Sequence, residues 1–405
     1  MTDTRRTIFA FCLLSALVPL ISVDTPRGLA FAPGIIALLC YIPYYLSAPV
    51  KPVISKQTVG LVLIIFSMAS LSLLWALHFE TSLRQIPKLA GLLPPQILLI
   101  SLAISFKKEE LRPYIHYFAY GLIAAVLLLC FEIITHGFFF NVARGLPTDN
   151  IADPDEFNRS TVALSLYSFS ALTFLKTKLK NPLWGLLIMA PLAVAIYMTE
   201  SQSAQLAFFA GLFFLFAFPY RQKWAWKTLI ALILICTFAA PFVVTYIYRN
   251  FAQDIQDIQF MAQASAGHRL EIWDYISRYA LQSPILGYGI EMTRDTTFDS
   301  RQIFICNNSV LHPHNYAIQV WAEFGLIGIL ITIALLYKLF TTIETRLSVA
   351  QQKIILPTLM ATMMPASFAY GMWQSWWIGL LFHTASLCLI AVKFTDEDKK
   401  EETAV

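Results

Sequence analysis

About twelve stretches of roughly 17 to 25 apolar residues run through this chain, each long enough to cross about 30 Å of hydrocarbon as a helix. They fall near 8–22, 28–47, 58–77, 89–105, 114–136, 159–175, 182–198, 203–219, 227–247, 316–337, 354–370 and 373–392. Pro94 and Pro95 interrupt the fourth, and Pro357 and Pro365 the eleventh. A kinked helix is tolerated in lipid where neighbours satisfy the freed carbonyls. With 57% hydrophobic and 13% charged residues and a mean hydropathy of +0.62, the composition lies far from soluble usage. The expectation is an all-α integral membrane protein, a single polytopic domain over 1–405 with about twelve transmembrane helices.

The first stretch follows Arg5 and Arg6 but lacks a small-x-small cleavage pattern, so it reads as a membrane helix and not a removable signal. Cys12, Cys40, Cys130, Cys236 and Cys388 fall inside spans, and only Cys306 lies in an outer loop. One exposed thiol allows no disulfide framework. The net charge of +4 is ordinary for this class, and no basic stripe points to nucleic acid. Internal repeats, low-complexity segments and Gly-rich phosphate loops do not stand out.

Cytoplasmic loops retain Lys and Arg. With twelve spans and the N-terminus inside, 19 of the 29 basic residues fall on the inner side. The outer ones are Arg27, Arg84, Lys88, Arg144, Arg159, Arg249, Arg269, Arg278, Arg294 and Arg301. Both termini are therefore expected in the cytoplasm, and all but one of the outer cations are arginine, whose planar fork grips phosphate. The one long outer loop, 248–313, joins spans nine and ten. In it, Leu270, Trp273, Ile276 and Ala280 recur at helical spacing while Glu271, Asp274 and Arg278 take other faces, which predicts an amphipathic helix at the membrane surface. Ser283-Pro284 ends it, and Gly287-Tyr288-Gly289 supplies a turn.

Chemistry concentrates at the end of that loop. Arg269 falls in the first turn of the predicted helix, where unpaired backbone N–H groups add positive charge suited to a phosphate. Arg159 begins the sixth span at the same outer rim, where a lone arginine also serves as a headgroup anchor. His314 stands at the start of the tenth span, either as an imidazole base or as a histidine satisfied by a backbone carbonyl. Asn315 follows it, His312 precedes it, and Gly325 and Gly328 would let another helix approach closely below, with Glu323 a buried carboxylate in need of a partner. A metal is not expected: His312 and His314 lack a third ligand at zinc spacing, and Asp153-Pro154-Asp155 looks like a solvated turn.

The run Arg269-x-x-x-Trp273, then Pro284-Ile285-Leu286-Gly287-Tyr288-Gly289, then His312-Pro313-His314-Asn315 with Gln319, Glu323, Gly325 and Gly328 resembles the signature of the O-antigen ligase superfamily. That superfamily includes O-antigen ligases, O-antigen polymerases and bacterial protein O-oligosaccharyltransferases. The ligase is the nearest pattern, through His-Asn-x9-Gly-x-x-Gly. One position departs from it: the turn after span seven often carries Ser-Arg, whereas here it reads Ser201-Gln202-Ser203.

The resemblance implies a glycosyltransferase of the bacterial inner membrane, with a periplasmic active site and no cofactor. Its donor would be a glycan on undecaprenyl diphosphate and its acceptor a lipid A-core sugar hydroxyl, both presented among membrane lipids. His314 would act as the base and Arg159 and Arg269 would hold the diphosphate, in a metal-independent, inverting transfer. A twelve-span secondary transporter is the alternative from another class. It would place ionisable groups near the midplane, where Glu132 and His383 are the candidates.

Overall fold

The computed structural model describes residues 3–258, 266–297 and 310–395. Arg301, Cys306 and the tail 396–405 lie outside the described residues. Each of the twelve apolar stretches folds as a helix, and no strand occurs among the described residues. Seven helices are long and apolar enough to cross a membrane: Asp3–Asp24, Lys56–Trp75, Phe79–Ser105, His116–Ile134, Lys223–Ile255, Tyr316–Arg346 and Ser375–Phe394. Ala32–Ser47, Pro182–Met198 and Gln202–Phe216 are apolar but shorter. Asn158–Lys176 and Val349–Phe368 complete the set. The chain is thus an all-helical, multi-pass membrane protein.

Asn158–Lys176 is rich in hydroxyls because it faces protein on nearly every side. Ser160, Thr161, Ser165, Ser168 and Ser170 are all buried, and it packs against Asp3–Asp24, His116–Ile134, Gln202–Phe216, Val349–Phe368 and Ser375–Ala391. Ser165 and Ser168 donate to carbonyls one turn back, and Ser160 donates across to Val23 O at 2.7 Å. A helix enclosed in this way needs no lipid-facing surface, and its first turn carries Arg159 into the bundle. Elsewhere the outward faces are apolar, as at Leu39, Leu46 and Phe216, which suits contact with lipid.

Three helices run about ten residues past their apolar cores, Tyr316–Arg346 continuing beyond the expected 337. Phe79–Ser105 starts ten residues before the expected 89 because Ser82, Gln85 and Leu89 form a buried stripe while Glu80, Arg84 and Lys88 face outward. Amphipathic turns of this kind escape a search for unbroken apolar runs. Lys223–Asp257 likewise continues ten residues beyond the expected 247.

The expected loop helix forms over Ala266–Ala280. Leu270, Ile272, Ile276 and Ala280 enter an apolar cluster with Ile290, Met292, Ile318 and Trp321. Its acidic residues, however, are not solvated. Asp274 is buried and pairs with Arg278 at 2.8 Å, and Glu271 is buried and accepts from Tyr248 Oη at 3.0 Å. The helix is packed between Lys223–Asp257 and Tyr316–Arg346, so its acidic side chains meet protein.

Candidate active site

Tyr316–Arg346 is a broken helix. Asn315 caps its start, its side chain accepting from Ala317 N and Ile318 N at 3.0 and 3.1 Å. At Gly325 the backbone leaves helical geometry, with φ 58° and ψ −151°. The segment 284–289 enters this break and makes four backbone bonds: Tyr288 N to Ala322 O (2.8 Å), Gly289 N to Glu323 O (2.9 Å), Leu326 N to Pro284 O (2.8 Å) and Ile327 N to Ile285 O (3.3 Å). A Cβ on Gly325 would stand 2.5 Å from the Ile285 carbonyl, and one on Gly287 would stand 2.6 Å from Glu323 C. The two glycines therefore let two backbones meet. The expected close contact with a neighbouring helix is not what Gly325 and Gly328 provide. A Cβ on Gly328 would meet Phe324 and Val320 of its own helix.

Glu323, at the break, is fully buried. It accepts from Gln319 Nε2 (2.9 Å), Trp373 Nε1 (2.6 Å) and Glu291 N (3.1 Å). Three donors from three separate parts of the chain satisfy it, which is what a carboxylate at this depth requires.

His314 is half-buried in a left-handed conformation, φ 56°. Its Nδ1 lies 2.6 Å from Ala369 O. A carbonyl can only accept, so Nδ1 carries the proton and the neutral ring keeps its lone pair on Nε2. Burial lowers the pKa from its ordinary value, the Ala369 bond opposes this, and Arg269 and His268 lower it further. The ring is therefore neutral near pH 7, with a basic Nε2. The acid limb of activity, as the pH falls, is expected below the ordinary imidazole value of 6.5. A pH profile of kcat/KM checks this, and a limb at or above 6.5 contradicts it.

His312 has a different environment. Its ring lies 4.2 Å from that of His314 and packs on Gly371. Gln374 Nε2 lies 2.7 Å from its Nε2, and Trp376 Nε1 donates to Gln374 Oε1 at 2.9 Å. That relay makes His312 Nε2 an acceptor already in use. His314 N also points at His312 Nδ1 from 3.3 Å, a longer contact that does not fit the same tautomer. The shorter bond decides. Burial, with His314, Arg294 and Arg159 nearby, pushes His312 down to about 3. It forms a neutral wall beside His314.

Arg159 and Arg269 both act electrostatically on the Tyr370 hydroxyl, in the link 369–374 before the last helix. Burial raises its hydroxyl, while Arg159, a bond with Ser203 and Arg269 act in the opposite direction. The Tyr370 hydroxyl also donates to Asn158 O at 3.4 Å. The guanidinium of Arg159 sits over Trp376, 5.6 Å from the ring centroid. Among the described residues neither Arg159 nor Arg269 is within 4.0 Å of a carboxylate, whereas Arg144, Arg278 and Arg294 are. Two half-buried guanidiniums without a carboxylate partner, one acting on His314 and the other on its neighbour His312, give the site the charge to hold a dianionic group near a neutral imidazole.

Sequence reasoning missed Tyr370, Trp373, Gln374 and Ser203. It also missed the position of Arg294, tied to Glu291 at 3.0 Å and close to His312. The turn Ser201-Gln202-Ser203, which lacks the cation often found there, reaches the site through Ser203. Asp153 accepts from Asp155 N, and Asp155 accepts from Asn158 Nδ2. Among the described residues no group of three or more His, Cys, Asp or Glu side chains gathers as a metal site. Glu132 caps a short helix, accepting from Phe139 N and Phe140 N, and His383 Nδ1 pairs with Tyr167 Oη at 2.9 Å.

Fold and site together define a multi-pass membrane protein with a cationic, histidine-bearing centre at one end of the bundle. Residues 184–333 match the family described as O-Antigen ligase, and the resemblance to the O-antigen ligase superfamily holds over the segment with the loop motifs. A protein of Rickettsia conorii named "Putative polysaccharide ligase" is 25% identical over 81% of this chain and 78% of its own length. Proteins of the same description in Rickettsia felis and Rickettsia prowazekii are 26% and 24% identical, each over 64% of this chain and 62% and 63% of their own lengths. No solved structure matches the chain. Arg159 and the link 369–374 lie outside the matched family segment, so their place in the site rests on geometry.

Proposed function

We propose that the protein transfers a finished polysaccharide from undecaprenyl diphosphate to a sugar hydroxyl of lipid A-core, at the periplasmic face of the bacterial inner membrane. In this reading both termini lie in the cytoplasm, and the long loop 248–313 belongs to the periplasmic side. The acceptor oxygen attacks the anomeric carbon as the bond from that carbon to the phosphate oxygen breaks. Undecaprenyl diphosphate departs, and the acceptor proton passes to His314 Nε2. Direct displacement inverts the anomeric centre without a covalent enzyme intermediate.

Diphosphate is already a good leaving group, so the protein's task there is to hold developing negative charge, the role assigned in this reading to Arg159 and Arg269. The hydroxyl is a poor nucleophile, and a neutral imidazole is the side chain suited to accept its proton near pH 7. One observation carries this reading: the Ala369 carbonyl claims Nδ1 and leaves the His314 Nε2 lone pair free, on a ring that feels Arg269 and whose neighbour Tyr370 feels both Arg159 and Arg269. The naming of the rickettsial relatives favours a ligase over a polymerase.

Deletion of the gene tests the assignment: bare core on lipopolysaccharide supports a ligase, whereas core bearing one repeat identifies a polymerase. Arg269→Lys keeps the charge and loses the planar fork, and is expected to lower kcat/KM for the lipid-linked donor by about tenfold or more, the loss of a charge-assisted hydrogen bond. Unchanged donor kinetics in a folded Arg269→Lys protein would exclude bidentate contact with the diphosphate.

A further inference from the structure

We propose that Glu323 is a positioning residue that fixes the tautomer and aim of His314, acting through the link 369–374 without touching substrate. The catalytic part of this inference rests on the function proposed above; the structural part does not.

Glu323 Oε2 accepts from Trp373 Nε1 at 2.6 Å. Its Oε1 accepts from Gln319 Nε2 at 2.9 Å, and the other end of that amide, Gln319 Oε1, accepts from Met372 N at 3.0 Å. The link is therefore held at two consecutive residues by one carboxylate, once directly and once through Gln319. The same link supplies the Ala369 carbonyl that binds His314 Nδ1, the Gly371 surface under His312 and the Gln374 amide at His312 Nε2. On its other side Oε1 accepts from Glu291 N at 3.1 Å, and Glu291 is itself in a left-handed conformation, φ 60°, with Arg294 on its carboxylate. Loop, broken helix and last link thus meet on one side chain.

Only a carboxylate suits this junction. All three surrounding groups are donors, N–H groups of Gln319, Trp373 and Glu291, and the two oxygens of a carboxyl group accept from all of them. An amide in its place would turn an NH₂ toward at least one of those donors, leaving it unsatisfied in a closed site. The link would then shift, and the Ala369 carbonyl with it. Without that carbonyl the proton on His314 is free to move to Nε2, which removes the lone pair from the position where the acceptor hydroxyl must be met.

The test uses the full-length protein in lipid nanodiscs, with ¹⁵N-labelled histidine and the His314 signal assigned by its loss in His314→Asn. Wild type is expected to show protonated Nδ1 and unprotonated Nε2. Glu323→Gln is expected to show a mixed or reversed tautomer, with kcat lower by on the order of 100-fold and donor KM nearly unchanged. Trp373→Phe keeps an aromatic ring and removes one donor, so it carries the test if Glu323→Gln does not fold; a smaller shift in the same direction is expected. A folded Glu323→Gln or Trp373→Phe protein with the wild-type His314 tautomer and full activity overturns the inference. If His314→Asn retains transfer, the function proposed for His314 fails, while the tautomer measurement still decides the role of Glu323.

Discussion

His314→Ala is expected to lower the rate of glycan transfer by about two to four orders of magnitude, the range carried by a positioned general base. In cells, lipid-linked donor should accumulate and core should remain uncapped. The effect is large because the groups flanking His314, His312 and Tyr370, are poorly suited to take over. His312 is the nearest imidazole, but its Nε2 accepts from Gln374 and its pKa is pushed down to about 3. The Tyr370 hydroxyl is raised by burial and is a poor base at neutral pH. His314→Asn is the companion variant, because asparagine tolerates the left-handed backbone found there, φ 56°. Both variants should remain folded and bind donor. Normal capping of core by either one removes the base assignment.

Gly325→Val is expected to have the largest effect on stability. The backbone at φ 58°, ψ −151° belongs to a region used almost only by glycine, at a cost of about 1–3 kcal/mol for other residues. Space adds to this, since a Cβ would lie 2.5 Å from the carbonyl carbon and oxygen of Ile285. The obstruction is backbone and cannot rotate away. Relief requires expelling segment 284–289, with its four backbone bonds to the broken helix, so the total should exceed about 4 kcal/mol. The expected result is a much lower thermal midpoint in detergent, faster proteolysis within 284–289 and loss of transfer. A Gly325→Val protein with a wild-type midpoint would show that the break does not depend on this residue.

The helical architecture was legible because it follows from unbroken apolar runs, and the proposed site residues were singled out as residue types grouped at one predicted depth. His314, Arg159 and Arg269 fall together on those grounds alone. The link 369–374 was not legible. Tyr370, Trp373 and Trp376 look like an ordinary aromatic belt at the end of two spans, and only the polar Gln374 among them hints at another purpose. The partners of Glu323 were equally hidden, since its donors come from residues 291, 319 and 373. Gly325-x-x-Gly328 illustrates an ambiguity of pattern: the same spacing serves a helix contact or a helix break, and only the entry of segment 284–289 distinguishes them. Asp274 and Glu271 show the same limit, because an amphipathic pattern does not say whether its polar face meets water or a second helix.

The most direct measurement is transfer in a purified system. Wild type and His314→Asn are incubated with undecaprenyl-diphosphate-linked glycan and lipid A-core in the presence of a metal chelator, and the product is resolved by mass and anomeric configuration. The account predicts inverted product from wild type despite the chelator and essentially none from His314→Asn. Product of retained configuration, a requirement for added metal, or equal product from the two proteins would contradict it.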